Sequence, residues 1–222
     1  DVFKTTIADK YFDGNTELTN CDLGSITSLE EALFNTDVKR LDDLSKFTSC
    51  TTVYAMCNEC DSLESMSCVF PDSVVNAGYM FTSANSSSAG TIDAKNCMYF
   101  RGMFSYAKMY TAPSIKFKHF DNPDGLNYIS ADQIFRRATN LMSVPEYDAS
   151  GWKSTDGGYF GFASDTYLYH NLLSMGGFKD LGLNFFSGDT LFLGLCPSLS
   201  NQSVQNIIDD LYDLTKESSI CN

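Results

Sequence analysis

Residues 53–70 read VYAMCNECDSLESMSCVF and bring Cys57, Cys60 and Cys68 into one short stretch, with Cys50 just upstream. Taken alone, the stretch suggests a zinc site or a disulfide knot. Set beside the rest of the chain, it is one copy of a repeat. In YFDGNTELTNCDL (residues 11–23), Phe12 is followed by Leu18 six residues on, Cys21 nine on and Leu23 eleven on. In MCNECDSLESMSC (residues 56–68), Cys57 is followed by Leu63, Met66 and Cys68 at those same three intervals. Self-similarity at a fixed period outranks any local motif as a guide to fold.

The pattern recurs in IFRRATNLMSVPEY, where Phe135 leads to Leu141, Val144 and Tyr147, and in MFSYAKMYTAPSI, where Phe104 leads to Tyr110, Pro113 and Ile115. LFNTDVKRLDDL carries it with Phe34, Leu41 and Leu44 one residue late, and MFTSANSSSAGTI keeps Phe81 and Ile92 with Ser87 in place of the middle Leu. The anchors Phe12, Phe34, Cys57, Phe81 and Phe104 stand 22, 23, 24 and 23 residues apart. Phe135 follows after 31, which places an insertion around KHFDNPDGLNYIS. A further copy ends in LLSMGGF (172–178), matching LMSVPEY (141–147) place for place, with Phe162 as its expected anchor.

A period of this size suits a leucine-rich unit, which cannot bury its apolar side alone and must stack on its neighbours. The expected architecture is therefore an α/β repeat fold. It is a leucine-rich-repeat solenoid of seven to eight units of 22–31 residues in one domain spanning 1–222, with regular repeats over 1–117 and insertions over 118–178. Residues 179–222 form a closing strand and helix. There, a strand at Leu191–Leu193 precedes Cys196 and Leu199. Ser200 is the expected N-cap of an amphipathic helix with Val204, Ile207, Ile208, Leu211 and Leu214 on its apolar stripe. SSICN is expected to begin another strand.

These residues resemble the BspA-type leucine-rich repeats of bacterial surface proteins. The closest stretches are IFRRATNLMSVPEYDAS, YMFTSANSSSAGTIDAK and AMCNECDSLESMSCVF. LLSMGGFKDLG and SLSNQSVQNIIDDLYDL resemble the closing repeats of similar proteins from gut-associated bacteria and their phages. The resemblance implies surface-displayed binding or adhesion, without one defined ligand. Several repeats lack the family's Asp-Thr-Ser turn, and residues 118–133 and 148–170 break its register.

Composition narrows the partners. The chain has 28 acidic against 15 basic residues, a net charge of −13, which repels nucleic-acid backbones and anionic lipid surfaces. No run of 18 apolar residues is present, so membrane insertion is not expected. The start at Asp1, with no initiator Met or signal-peptide pattern, reads as a processed protein or an excised piece.

For the cysteines, zinc, a disulfide and buried free thiols compete. CxxC is half a zinc site, and the repeat already explains Cys57 and Cys68 as core positions, so no metal or cofactor is expected. His119 and His170 lie in neither HExxH nor beside a GxSxG serine. DNPDGLN (121–127) reads as a Pro-Asp-Gly turn, not a calcium loop.

Aromatic residues in or beside the insertions are the expected ligand contacts: Tyr128, Trp152, Tyr159, Phe160, Tyr167, Tyr169 and His170. The expected function is a non-enzymatic, extracellular adhesion module at a cell surface or on a virion, presenting these loops to a host protein or glycan. A phage tail-fibre component, receptor-binding or structural, is the near alternative. A surface-glycan hydrolase using Asp121, Asp124, Asp156 and Asp165 is the distant one, and it needs paired carboxylates in a cleft.

Overall fold

The computed structural model describes residues 22–41, 43–120, 128–152, 159–160, 171–179, 190–191 and 196–210. Its strands are short and every pairing among them is parallel. In chain order they are β1 (Leu63–Ser65), β2 (Cys68–Val69), β3 (Ser86–Ser88), β4 (Thr91–Asp93), β5 (Ser114–Lys116), β6 (Ser143–Val144), β7 (Tyr147–Asp148), β8 (Tyr159–Phe160), β9 (Ser174–Met175), β10 (Phe178–Lys179) and β11 (Thr190–Leu191).

Each strand pairs with its equivalent in the next copy of the repeat. β2, β4 and β5 form one sheet with Cys68, Ile92 and Ile115 in line. β1 pairs with β3, β6 with β9, β7 with β10 and β8 with β11. Single bridges form a further ladder through Ser28, Thr52, Asn76, Tyr99 and Ser130. Parallel strands joined this way need a long connection between partners, which the rest of each unit supplies.

Register locates the insertions. Asn76 pairs with Tyr99, whereas Tyr99 pairs with Ser130. The offset thus grows from 23 to 31 residues across the stretch holding KHFDNPDGLNYIS. Ile129 then pairs with Trp152 at the shorter offset, while Ser143 pairs with Ser174 at the longer one, so the second insertion lies between Trp152 and Ser174. Phe178 pairs with Tyr147, the alignment of LLSMGGF on LMSVPEY expected from sequence.

Between the ladders the chain runs through consecutive turns around each anchor. Leu33, Cys57, Phe81 and Phe104 donate their amides to the carbonyls of Met56, Met80, Met103 and Ile134 in the following unit. The residues two before and two after each anchor do the same: Ala55 to Gly78 and Glu59 to Thr82, for example. The intervening amides fold back three residues, as Met56 to Val53 and Asn58 to Ala55. All these amides between units therefore point toward the C-terminal neighbour. The geometry sets two residues per unit in the left-handed region, among them Ala55 and Glu59 (φ 50° and 61°) and Tyr79 and Ser83 (both 56°).

This register corrects one anchor. Leu33, not Phe34, occupies the position of Cys57, Phe81, Phe104 and Phe135, and it is fully buried while Phe34 is half-buried. The aromatic anchors form a column: Phe81 on Phe104 with centroids 5.7 Å apart, and Phe104 on Phe135 at 5.6 Å, both stacked. Tyr147 continues it against Phe135 at 6.2 Å and sends its hydroxyl to the Pro113 carbonyl at 2.8 Å.

The closing helix, α1 (Asn201–Asp209), begins as expected, with Ser200 Oγ accepting the Ser203 amide. Its inward face differs from the expected stripe. Ser203 and Ile207 are buried, while Val204 and Ile208 are exposed, and Leu211 and Leu214 lie outside the described residues. The reason is the sheet edge beneath it. Ser203 Oγ accepts the Met175 amide at 2.9 Å and Asn206 Nδ2 donates to the Met175 carbonyl at 3.2 Å. Backbone groups on an edge must be paired when covered, so polar residues turn inward there. Of the strand expected at Leu191–Leu193, Leu191 lies in β11 (Thr190–Leu191), while residues 192 and 193 lie outside the described residues.

Two stability predictions follow from this packing. Leu33→Ala should cost about 2–5 kcal/mol and Phe34→Ala clearly less, measured by urea unfolding; the reverse order would place the anchor at Phe34. Ser203→Ala, which strands the Met175 amide under the helix, should cost about 1–3 kcal/mol in the same assay.

Candidate functional site

The aromatic residues expected at the insertions do not come together on a described surface. Trp152 is fully buried, packed on Phe178 (centroids 5.3 Å apart), Phe117 (5.5 Å) and Tyr147 (6.2 Å). It is a core residue, because the chain has returned to the ladder at that point through the Ile129–Trp152 bridge. Tyr128 is half-buried. Tyr159 and Phe160 form β8, and Tyr167, Tyr169 and His170 lie outside the described residues, as do Asp121, Asp124, Asp156 and Asp165.

An aromatic face occurs instead on the regular units. Its framework is a Ser, Thr or Asn five residues before the anchors Leu33, Cys57 and Phe81. Ser28 Oγ accepts the Glu30 amide, Thr52 Oγ1 the Tyr54 amide and Asn76 Oδ1 the Gly78 amide, at 3.2, 3.2 and 3.0 Å. These side-chain turns start the turned segment at the same place in each unit. Two or three residues after them, Glu30, Glu31, Tyr54 and Tyr79 lie outside the core, as does Arg101 in the next unit.

The tyrosines are seated by glycines of the following unit. A Cβ on Gly78 would stand 3.3 Å from Tyr54 Cδ2, and one on Gly102 would stand 2.5 Å from Tyr79 Cε1. Glycine lets each ring approach the neighbouring backbone closely. Tyr54 and Tyr79 meet edge to face at 5.6 Å. Tyr99, bridged to Asn76 in the ladder, is 45% exposed.

The charges around the face act on it. Loss of solvent raises the Tyr54 phenol above its ordinary value, Tyr79, Glu30 and Glu31 add to the rise, and Arg101 opposes it. The hydroxyl therefore stays protonated at neutral pH, a donor on an amphipathic ring. The face can stack on a ligand and offer hydroxyl, carboxylate and guanidinium groups around it. The face is not legible from insertions because the tyrosines sit inside the regular units; its signal in the sequence is the Ser28, Thr52 and Asn76 series five residues before successive anchors.

A second exposed set, Tyr110, Met142 and Leu173, lines up in successive units, with the Met142 amide bonded to the Tyr110 carbonyl and the Leu173 amide to that of Met142.

His119, Asp148 and Ser150 also meet, and their geometry is structural. His119 Nδ1 lies 2.7 Å from Asp148 Oδ2 and 3.3 Å from Ser150 Oγ. Ser150 Oγ donates to Asp148 Oδ1 at 2.6 Å and accepts the Phe120 amide at 2.9 Å. In a hydrolytic triad the serine and the carboxylate address different imidazole nitrogens. Here both face Nδ1 and the serine is fully buried, so the cluster ties the end of one unit to the next.

The six described cysteines, Cys50, Cys57, Cys60, Cys68, Cys97 and Cys196, are buried free thiols. Among the described residues no group of three or more His, Cys, Asp or Glu is placed to hold a metal ion, and no helix is long and apolar enough to cross a membrane.

Ser150→Ala removes the acceptor of the Phe120 amide and a donor to Asp148. It should lower stability by about 1–3 kcal/mol in thermal or urea unfolding; an unchanged midpoint would remove its tying role.

Comparison of the chain with family models, with curated proteins and with solved structures finds no match.

Proposed function

We propose that the chain is a leucine-rich-repeat solenoid acting as a non-enzymatic, extracellular binding module that takes a glycan on the face of Tyr54, Tyr79 and Tyr99. The observation that carries this reading is the seating of two mutually packed tyrosine rings against Gly78 and Gly102, with Tyr99 exposed on the ladder of the next unit. Rigid aromatic side chains held in place before binding lose little freedom on contact, and their rings suit the C–H faces of a sugar. Glu30, Glu31 and Arg101 supply polar groups around the rings for hydroxyls. The net charge of −13 favours a neutral or cationic ligand over a polyanion.

A protein ligand is the second reading. It is favoured by the exposed row Tyr110, Met142 and Leu173, whose apolar side chains repeat in register across three units. Display on a bacterial surface and display on a phage fibre are equally compatible with both readings.

A glycan and host-protein array probed with the wild-type chain, Tyr54→Ala, Tyr99→Ala and Met142→Lys tests the proposal. The expected result is a glycan signal reduced about tenfold or more by either tyrosine change, the loss of an interface hot spot, and kept by Met142→Lys. Glycan binding unchanged by both tyrosine variants would overturn the assignment of the face. A protein signal lost only in Met142→Lys would move the site to the second row.

A further inference from the structure

The unit anchored at Cys57 departs from its neighbours at two positions, and those two side chains meet. Elsewhere the anchor is Leu33, Phe81, Phe104 or Phe135, and the residue three further on is Thr36, Ala84, Ala107 or Ala138. In this unit alone the two are Cys57 and Cys60. The Phe column stops at Phe81, so the cysteine stands where a large apolar side chain would continue it.

The backbone brings the pair into range. The Cys60 amide bonds to the Cys57 carbonyl at 3.3 Å, closing a turn with Glu59 in the left-handed region at its third place. The same bond closes Ala84 on Phe81 (3.2 Å), Ala107 on Phe104 (3.1 Å) and Ala138 on Phe135 (3.0 Å), so the turn belongs to the repeat and not to the cysteines. A turn of this kind keeps its end Cα atoms within about 7 Å, and a disulfide accepts about 4.4–6.8 Å. Both side chains are fully buried.

The surroundings distinguish Cys60 from the other thiols. Its Sγ donates to the Leu33 carbonyl at 3.0 Å and lies 3.7 Å from Thr36 Oγ1. The Cys57 hydrogen bond, set against burial and helped by Thr36, brings its thiol down to about 7. Burial holds Cys57 well above its ordinary value, and it pushes Cys97 and Cys196 up to about 12 and raises Cys50 and Cys68.

We propose that Cys57 and Cys60 are a redox pair, closed to an intra-turn disulfide by exchange with a small-molecule disulfide such as glutathione disulfide. A thiolate of the pair attacks one glutathione sulfur, the glutathione S–S bond breaks, and the first glutathione leaves as a thiolate that takes up a proton. The other cysteine then loses its proton and attacks the sulfur of the first, and the mixed disulfide breaks to release the second glutathione, which takes up a proton in turn. The two protein thiols are oxidised, one glutathione disulfide is reduced to two glutathiones, and the remaining thiols are untouched. Because both sulfurs are buried, exchange occurs while the unit is open, before the neighbouring units close over it. The pair is independent of the tyrosine face.

The full chain, reduced and unfolded, is refolded in a glutathione and glutathione disulfide buffer, quenched with acid, alkylated in denaturant so that buried free thiols also react, and mapped by proteolysis and mass spectrometry. The expected result is two of the eight thiols protected and a link between Cys57 and Cys60. Cys57→Leu and Cys60→Ala restore the residue types of the neighbouring units and should fold with no link formed by the remaining member of the pair. Eight free thiols in the refolded wild type, or Cys57 or Cys60 linked to another cysteine, would overturn the proposal.

Discussion

Around each anchor, successive units of this protein are joined by a relay of amide-to-carbonyl hydrogen bonds that runs one way, and most of the structure depends on it. Leu33, Cys57, Phe81 and Phe104 each donate to the following unit, as do the residues two places to either side. Donors spaced by two leave the alternate amides without a partner in the next unit, and buried amides must be satisfied. They bond back three residues instead, which curls the segment into turns and sets two residues per unit in the left-handed region. The conformation is disfavoured for residues other than Gly, Asn and Asp, yet Ala55, Tyr79 and Gln133 adopt it. Bonding on both sides of each unit overrides local preference.

The same relay determines what the core contains. An anchor whose amide faces the next unit places its side chain directly above the next anchor. Phe81, Phe104 and Phe135 therefore stack nearly parallel, at 4° and 13°. Where the column meets the insertions, the aromatic packing changes from parallel to edge-on, with Phe117 against Tyr147 and Trp152 at 90° and 82°. That cluster closes the gap left when the register lengthens, which is why Trp152 is core. The surface inherits its order from the same repeat: Tyr54 and Tyr79, three and two places before their anchors, each pack against the glycine that holds the same place in the unit that follows.

Ends of the array follow a different logic. At β9 the covering element is α1, and the helix contributes Ser203 and Asn206 to the Met175 backbone where a further unit would contribute its own amides and carbonyls. The exposed Val204 and Ile208 are the consequence. Between units 117–120 and 147–150, where no strand pairing of regular offset spans the insertion, the buried Ser150 and the His119–Asp148 pair supply polar ties.

The repeat period, the apolar positions at the strands and the position of both insertions were legible in the sequence. A stacked unit must present apolar side chains at fixed intervals, so Leu63, Cys68, Ile92 and Ile115 show their role by spacing alone. Three things were not legible. Leu33 and Phe34 are adjacent and both apolar, and only the direction of an amide toward the next unit decides which is buried. Trp152 beside an insertion has the same composition signal whether it faces ligand or core, and the Ile129 bridge decides it. Ser203 and Asn206 read as the polar side of a helix until the sheet edge that needs them is in place. By itself, the sequence determined the period and the apolar side of each unit, because those follow from side-chain chemistry at regular intervals. Which aromatic residues face water was decided only by the tertiary structure, because that depends on the residue one unit away: a glycine under Tyr79, and three aromatic rings around Trp152.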